Sequence, residues 1–428
     1  MERRPLDEED TDMKLLIHNA RVLSLRDGLD AVQDVLVEDG KIAAIGQLGD
    51  IEGADRLDGT GLCLSPGLVD LFAMATEPEE DGIESILTLS AAAAKGGFTA
   101  VCAHTELSTA EQAEYIRERA QYAACDIVAA TRATVGREIL DFGALKAWGV
   151  RAVYDDEGVD NPLRMRDILF RARKHGLVVL SRCRDRRLYG EGLMREGEMA
   201  RILDFPIIPA SAEAVVVARD IVLAMESGSH VHLGHISTAQ SVRIIRLAKA
   251  QGAQVTCSTE PHYLALTSKE IQSYNPLFKL DPPLGNPEDA EALVAGLLDG
   301  TVDCIASGHT PVDMAGKYKS LVTAPHGASS LETALAVCLT ELHHEKGVAL
   351  AEVLDRMTAA PAGILDLPAG RLRVGDVADL VLFDPDCAWP VKGAEFESRG
   401  HNTPFEGRTL RGKVAHTIKA GRVIYSGE

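Results

Sequence analysis

The central part of the chain, residues 66–367, alternates short apolar runs with longer amphipathic stretches. Helical patterns occur between the apolar runs, for example at residues 83–94 and 163–175. The strand candidates are residues 101–103, 152–154, 177–181, 230–233, 254–257 and 304–307. Buried strands that alternate with helices over this length predict an α/β fold of the (β/α)8 TIM-barrel type. A doubly wound sheet is the alternative, but no glycine-rich phosphate-binding motif opens a helix to support it.

The two ends of the chain have a different pattern, in which short β-rich runs are separated by turns. These runs are residues 15–17, 21–25, 33–38, 41–45, 378–383, 414–418 and 422–425. We predict that residues 13–65 and 368–428 join into one small β-sandwich domain, and that residues 66–367 form the barrel domain. Residues 1–12 are charged and lack periodicity, which predicts a disordered tail.

Composition narrows the possible partners and the compartment. The 428 residues carry a formal net charge of −20, which argues against nucleic acid or an anionic membrane as a partner. No apolar run approaches the roughly 20 residues that span a bilayer. The eight cysteines are scattered without a Cys-x-x-Cys pair, a distribution typical of small buried side chains in a reducing compartment. We therefore expect a cytoplasmic protein with no nucleic-acid or membrane partner.

Several short motifs follow one another along the chain. They are Gly-Gly-Phe-Thr at 96–99, His-Ile-Ser-Thr at 235–238, Asp-Pro-Pro-Leu at 281–284, Leu-Glu-Thr-Ala at 331–334, Ala-Asp-Leu at 378–380 and Asn-Thr-Pro-Phe-Glu-Gly at 402–407. In order and spacing they resemble motifs of the dihydroorotases and the wider cyclic-amidohydrolase family. The resemblance covers nearly the whole chain, from residue 17 to residue 425. It implies an amidohydrolase-type TIM barrel with a β-sandwich from both termini, and one or two zinc ions whose bound hydroxide attacks a cyclic amide.

The first barrel strand departs from the family at the residues that should bind metal. The family signature Asp-x-His-x-His-x-Arg-Glu-Pro corresponds to residues 70–78, which here read Asp-Leu-Phe-Ala-Met-Ala-Thr-Glu-Pro. Phe72 and Met74 replace the two histidines, and neither side chain can serve a zinc ion as imidazole does. Strand alternation puts both on one face toward the barrel mouth, where core packing is their simplest role.

The other ligand positions implied by the resemblance are partly lost as well. An acidic position survives at Asp155 or Asp156, and His235 matches a family histidine. Arg182 stands where a histidine ligand is expected, and a fixed guanidinium repels metal. Gly308 replaces the aspartate expected to bind metal and to act as general base. Because two remaining ligands do not make a useful zinc site, we expect no metal and no catalytic residues.

The positions that would recognise a substrate have also changed. Thr76 replaces the arginine that would pair with a substrate carboxylate, and Glu106 replaces an asparagine. Asp281 and Gly285 replace the asparagine and arginine of the family's Asn-Pro-Pro-Leu-Arg loop. An anionic substrate would therefore meet added carboxylates and missing cations.

Two further hypotheses concern this degenerate site. The first is that Arg182 pairs with Asp155 or Asp156, so that a guanidinium takes over the metal's charge. The second is a rebuilt metal site, with structural histidines as the simpler interpretation. Its candidate ligands are His230, His232, His235, His262 and His309.

Two classes of function fit these observations. The first is a catalytically inactive homologue, because the resemblance extends to inactive chains that help to assemble aspartate carbamoyltransferase in bacterial pyrimidine biosynthesis. Regular scaffold motifs beside replaced ligands favour this structural role. It implies a homo-oligomer or a hetero-oligomer with the aspartate carbamoyltransferase catalytic chain, and no cofactor. The alternative is an active zinc-dependent dihydroorotase, or a related cyclic amidohydrolase that hydrolyses a cyclic amide C–N bond.

Overall fold

The computed structural model describes residues 13–78, 82–155 and 159–427. The tail predicted at residues 1–12 lies outside these residues. The strands are β1 (Lys14–Ser24), β2 (Leu29–Glu38), β3 (Lys41–Gly46), β4 (Asp55–Asp58), β5 (Cys63–Pro66), β6 (Leu68–Met74), β7 (Phe98–Thr105), β8 (Asp126–Arg132), β9 (Thr134–Val135), β10 (Glu138–Ile139), β11 (Ala152–Asp155), β12 (Val178–Ser181), β13 (Met194–Arg195), β14 (Ile207–Ile208), β15 (Val231–Leu233), β16 (Val255–Thr259), β17 (Cys304–Ile305), β18 (Leu380–Pro390), β19 (Thr409–Lys419) and β20 (Arg422–Ser426).

The α-helices are α1 (Ile86–Lys95), α2 (Ala110–Ala120), α3 (Phe142–Ala147), α4 (Pro162–His175), α5 (Arg186–Tyr189), α6 (Glu198–Leu203), α7 (Ser211–Ser227), α8 (Ala239–Ala250), α9 (Pro261–Ala265), α10 (Pro287–Asp299), α11 (Met314–Lys317), α12 (Leu331–Cys338), α13 (Leu350–Asp355) and α14 (Ala359–Ile364). A wider π-helical turn, Leu339–Glu345, continues α12, and short 3-10 turns occur at Leu25–Asp27, Ser268–Ser273, Pro276–Phe278 and Gly393–Glu395. No helix in the described part of the chain is both long and apolar enough to cross a bilayer.

Eight parallel strands form the centre of the molecule, in the order β17-β16-β15-β12-β11-β8-β7-β6. The ring closes where the segment after β17 meets β6, since Ala73 and His309 form a parallel bridge and Met74 N–H donates to His309 O at 2.9 Å. The predicted TIM barrel is therefore confirmed. The hydrophobic pattern did not reveal β8, because this strand begins at Asp126 and ends at Arg132.

Local sequence signals explain where the outer helices begin and end, and α4 illustrates them. The Asn161 side chain accepts a hydrogen bond from Leu163 N–H, and Pro162 occupies the first turn, where no amide donor is needed. Gly176 closes the helix at φ +64°, a conformation that favours glycine. The buried positions lie on one face, so the other face is left to solvent.

The strands from both chain ends form one further sheet, in the order β20-β19-β18-β5-β1-β2-β3, with β4 paired to β1. The predicted run at 15–17 and residues 21–24 of the next run belong to the single strand β1, whose register shifts between Ile17 and Ala20, while Leu25 begins the 3-10 turn that follows. The sheet has its own apolar core, to which both termini contribute. A terminal β domain is therefore present as predicted, while the boundaries at residues 65 and 368 stay a prediction.

The terminal domain contacts the barrel through specific polar pairs. Arg26 donates from Nε and Nη2 to the Asp355 carboxylate at 2.6 and 2.9 Å, and Asp355 is buried at the end of α13. Thr417 Oγ1 donates to Ala94 O of α1 at 2.6 Å. These contacts join β19 and the turn after β1 to the outer helices of the barrel.

We expect Arg26→Ala to lower the free energy of unfolding by about 1–3 kcal/mol, because it leaves the buried Asp355 carboxylate without its cation. Arg21→Ala is the matched control, since Arg21 makes the same two-bond contact with Asp30 where both side chains are about half exposed. That control should cost less than about 1 kcal/mol. Equal losses for both variants in denaturant unfolding would contradict a structural role for the Arg26–Asp355 pair.

Candidate functional site

Phe72 fills the mouth of the barrel at the end of β6. Its ring centroid lies 4.4 Å from that of His104 and 4.1 Å from that of His235, edge-on in both cases. Leu71 lines the same cavity, because the register of β6 against β7 shifts within this stretch. Met74 packs against the apolar cluster that contains both residues. At the positions where the family signature has histidines, this strand contributes the apolar side chains of Phe72 and Met74.

The buried carboxylate of Glu260 contacts two histidines, and one of them, His235, packs against Phe72. Glu260 Oε1 contacts His235 Nδ1, and Glu260 Oε2 lies 2.8 Å from His262 Nε2. All three side chains are buried. Burial by itself raises the pKa of the Glu260 carboxyl, but the charges and hydrogen bonds of the two imidazoles hold that pKa well below its usual range. Glu260 therefore stays ionised and occupies one nitrogen of each histidine.

Gly308 makes the room that the Glu260 carboxylate occupies. A Cβ atom added at residue 308 would lie 2.5 Å from Glu260 Cδ, and the backbone there has φ +67°. No larger residue fits without moving the carboxylate. The loss of an acidic side chain at residue 308 and the position of Glu260 are thus two parts of one arrangement. Nothing in the local sequence around Glu260 indicates that its side chain reaches residue 308, so its place in the site could not be predicted from the sequence.

Arg182 lies at the end of β12, where its guanidinium binds Asp281. Its Nη2 is 2.9 Å from Asp281 Oδ2, and Arg184 Nη1 is 2.8 Å from the same oxygen. The Tyr189 hydroxyl donates to Asp281 Oδ1. Burial raises the pKa of Asp281, but the two arginines and the tyrosine lower it overall. The added carboxylate at residue 281 therefore pairs with both added cations and offsets one of their two charges.

The acidic position at the end of β11 lies beside this group. Asp155 is largely buried, lines the mouth cavity together with Arg182, and accepts a hydrogen bond from Val159 N–H. Asp156 lies outside the described residues. The hypothesis that Arg182 pairs with Asp155 or Asp156 therefore stays a prediction, beside the pairing with Asp281.

Two of the substrate-recognition positions have local partners. Thr76 Oγ1 donates to Glu84 O at 2.8 Å and accepts from Glu84 N–H at 3.0 Å, so it closes the loop after β6. Glu106 forms an ion pair with Arg132. Both side chains therefore stabilise loops at the barrel mouth.

The histidines considered for a rebuilt metal site have hydroxyl, carboxylate and backbone amide groups of the protein as partners. His232 Nδ1 lies 2.9 Å from Thr256 Oγ1 and Nε2 lies 3.0 Å from Ser258 Oγ, while His230 Nε2 lies 2.8 Å from Thr256 Oγ1. Burial lowers the pKa of His232 well below its usual range, so its ring stays neutral. His309 Nδ1 accepts from Ser330 N–H at 3.1 Å.

A catalytic zinc ion does not fit the donors at the barrel mouth. Phe72 offers no donor and Arg182 carries a positive charge, while the His235 and Glu260 donors bind each other. Throughout the described ranges, no group of three or more His, Cys, Asp and Glu side chains is arranged to hold a metal ion. The cavity that these side chains leave is about 20 Å³, roughly the room for one water molecule.

Comparisons with known proteins agree with the motifs. A family model described as Dihydro-orotase-like matches residues 61–241. The protein named dihydroorotase from Syntrophus aciditrophicus (strain SB) is 40% identical over 426 residues, which cover 96% of this chain and 99% of the relative. The protein of the same name from Pelotomaculum thermopropionicum (strain DSM 13744 / JCM 10971 / SI) is 40% identical over 420 residues, with 96% and 98% coverage.

Solved structures share the fold at lower sequence identity. The dihydropyrimidinase from Brevibacillus agri NCHU1002 superposes with a TM-score of 0.84 at 22% identity and covers 96% of this chain and 95% of its own. The L-hydantoinase from Arthrobacter aurescens gives 0.81 at 23% identity, with 97% and 96% coverage. At this identity the likeness establishes the architecture alone.

We expect Gly308→Ala to destabilise the fold by about 2 kcal/mol or more, because the new Cβ meets Glu260 and the backbone is left-handed. Gly136→Ala is the matched control, since φ is +59° there and no atom lies within 4 Å of the added Cβ. In a Glu260→Ala background, the cost of Gly308→Ala should fall to that of the control. Denaturant unfolding of the four variants measures the coupling. Equal costs at residues 308 and 136 in the wild-type background would contradict it.

The buried carboxyl of Asp70 should make the stability of the protein depend on pH. It is fully buried and accepts from Ser307 N–H and Oγ–H at 2.6 and 2.7 Å, which links β6 to the segment after β17. Burial raises the pKa of its carboxyl to about 6, although the Ser307 hydrogen bonds oppose the shift. The folded state therefore binds more protons at Asp70 than the unfolded state between about pH 4 and pH 6, and stability falls as the pH rises through this range.

From this shift we expect Asp70→Asn to remove part of the pH dependence of stability. Between pH 5 and pH 7.5, the wild type should lose about 1–1.5 kcal/mol of unfolding free energy relative to the variant. Urea unfolding of both proteins at the two pH values measures this difference, whatever the fixed cost of the substitution. Parallel pH profiles would show that Asp70 ionises normally.

Proposed function

The chain belongs to the dihydroorotase-like family, and we propose that it is a member without catalytic metal chemistry. In this proposal the protein is a structural or assembly subunit for aspartate carbamoyltransferase in pyrimidine biosynthesis. The observation that carries the first part is the packing of Phe72 against the ring of His235, while Glu260 binds Nδ1 of the same histidine. Metal-assisted hydrolysis needs several converging ligands and an open position for the nucleophilic water. Among the described residues, this mouth offers neither.

The substrate side of the site supports the same proposal. Hydrolysis of an anionic cyclic amide would need a cation to hold the substrate and a base to move a proton. Arg182, which lines the mouth cavity, and the neighbouring Arg184 both bind Asp281. Glu260 is ionised, but its two oxygens contact His235 and His262. An anionic substrate would have to displace internal ion pairs before it could bind.

The assembly role rests on the resemblance to inactive family members and on the state of the scaffold. The barrel and the terminal sheet keep continuous apolar cores, although the mouth has been rebuilt. A fold maintained without its catalytic ligands is consistent with a role in which the surface carries the function. The aspartate carbamoyltransferase catalytic chain is the proposed partner.

The second candidate is an active zinc-dependent dihydroorotase or a related cyclic amidohydrolase. The names of the relatives favour it, since proteins called dihydroorotase are 40% identical along nearly the whole chain. Such an enzyme would need a donor set that the described residues of the mouth do not provide. The geometry therefore favours the first proposal, and the relatives' names favour the second.

The two candidates differ in metal content, turnover and association. We expect the purified chain, loaded with zinc and then freed of unbound metal, to keep far less than one zinc per chain and to show no dihydroorotate turnover. The Syntrophus aciditrophicus relative, prepared in parallel, is the control for metal loading and for the assay. We also expect the chain to copurify with the aspartate carbamoyltransferase of the same cell.

Other outcomes would contradict one part of the proposal or the other. About one zinc per chain together with turnover would establish the second candidate, provided that His235→Ala abolishes the turnover and so excludes a contaminating enzyme. Absence of metal and turnover without carbamoyltransferase association would overturn the assembly role while leaving the loss of catalysis intact.

A further inference from the structure

An exposed apolar stripe runs along two neighbouring outer helices, α4 and α7. On α7, Val215, Val222 and Met225 are spaced by seven and three residues, which puts them on one face. On α4, Leu163 and Phe170 are seven residues apart. All five side chains are exposed. Together with Arg171 and Lys174 of α4, they are called the α4–α7 face below.

Polar contacts join the two halves of this stripe into one surface. Arg166 Nε lies 2.9 Å from Glu226 Oε1 of α7, while its guanidinium carbon lies 4.8 Å from the centroid of the Phe170 ring. Arg173 Nη1 donates to Ser227 O at 2.7 Å. The exposed ring of Phe170 is therefore held beside the C-terminal half of α7, where Val222 and Met225 lie.

The α4–α7 face is basic on an acidic protein. Helix α4 contains five Arg or Lys residues and one Asp, and α7 contains one Arg and three acidic residues. The two helices together therefore carry a net charge of +2, whereas the whole chain has a net charge of −20. Arg171 and Lys174 are exposed, and within the described ranges no carboxylate forms an ion pair with either. An apolar centre with unpaired cations at its rim fits a partner surface that has an apolar centre and carboxylates around it.

A second copy of this chain matches the face poorly. A symmetric contact centred on α4 would oppose α4 to α4 and bring the same cations together. A contact between this face and an acidic region elsewhere on a second copy would be heterologous, so it would produce a ring if the rotation closes and open chains if it does not. The charges therefore favour a different subunit.

We infer that the α4–α7 face is the surface through which this chain docks on its partner subunit, and that the partner presents carboxylates around an apolar patch there. The inference rests on the proposed function, since it locates the interface of the proposed assembly.

The test uses the full-length chain and the aspartate carbamoyltransferase of the same cell, with calorimetry for affinity and light scattering for mass. We expect Val222→Asp to weaken association about tenfold or more, because it puts a carboxylate into an apolar contact rimmed by carboxylates. Val374→Asp is the matched control, since Val222 and Val374 are each 63% exposed. Lys174→Glu should weaken association less, and the wild-type affinity should fall as salt is raised.

Each result bears on a different statement. Loss of binding in Val222→Asp with retention in Val374→Asp supports the inference, provided that both variants keep the wild-type melting temperature. Unchanged binding in both Val222→Asp and Lys174→Glu overturns the α4–α7 face and leaves the proposed assembly standing. No binding by the wild type overturns the proposed assembly itself. A wild-type homodimer that Val222→Asp dissociates would assign the face to a second copy and overturn the inference.

Discussion

The Glu260 carboxylate, held between His235 and His262, determines what the mouth of this barrel can contain. A buried carboxylate is tolerated only when it is paired and hydrogen-bonded, and here two imidazoles perform that task. This arrangement constrains both residue 308 and the two histidines. Gly308 has to remain free of a side chain, since any Cβ would strike Glu260. Each of the two histidines has one ring nitrogen bound to Glu260, and Phe72 packs edge-on against the ring of His235.

A second buried carboxylate, that of Asp281, is also held by basic side chains near the barrel mouth. Arg182 and Arg184 bind one oxygen of the Asp281 carboxylate, and the Tyr189 hydroxyl donates a hydrogen bond to the other oxygen. In both groups the buried carboxylate is paired with basic side chains, although Asp281 offsets only one of the two guanidinium charges. The replacements at the mouth are therefore coupled: the glycine at residue 308 makes room for Glu260, and the aspartate at residue 281 pairs with the arginine at residue 182. This coupling distinguishes a rebuilt site from one that has only lost its ligands.

The rebuilt mouth has had little effect on the scaffold around it. The parallel strands of the barrel and the sheet formed by both chain ends keep continuous cores, and the likeness to solved hydantoinases and a dihydropyrimidinase covers nearly the whole chain. In such barrels, chemistry is confined to the strand ends and loops, while stability comes from the packed interior. Selection can therefore change one and maintain the other. A protein with this division of roles can act through its outer helices, where the α4–α7 face lies.

Much of the architecture followed from the sequence alone, because alternating patterns and short motifs are local signals. The barrel and the terminal domain were predicted in this way, and so was the loss of donors at Phe72, Arg182 and Gly308, since a residue type either has a ligand atom or lacks one. Only the tertiary structure decided how these losses were compensated. Glu260 lies 25 residues from His235, and Asp281 lies 99 residues from Arg182. Such partners meet because barrel closure brings the ends of different strands together, and no local pattern of hydrophobic and polar residues records which side chains will touch there.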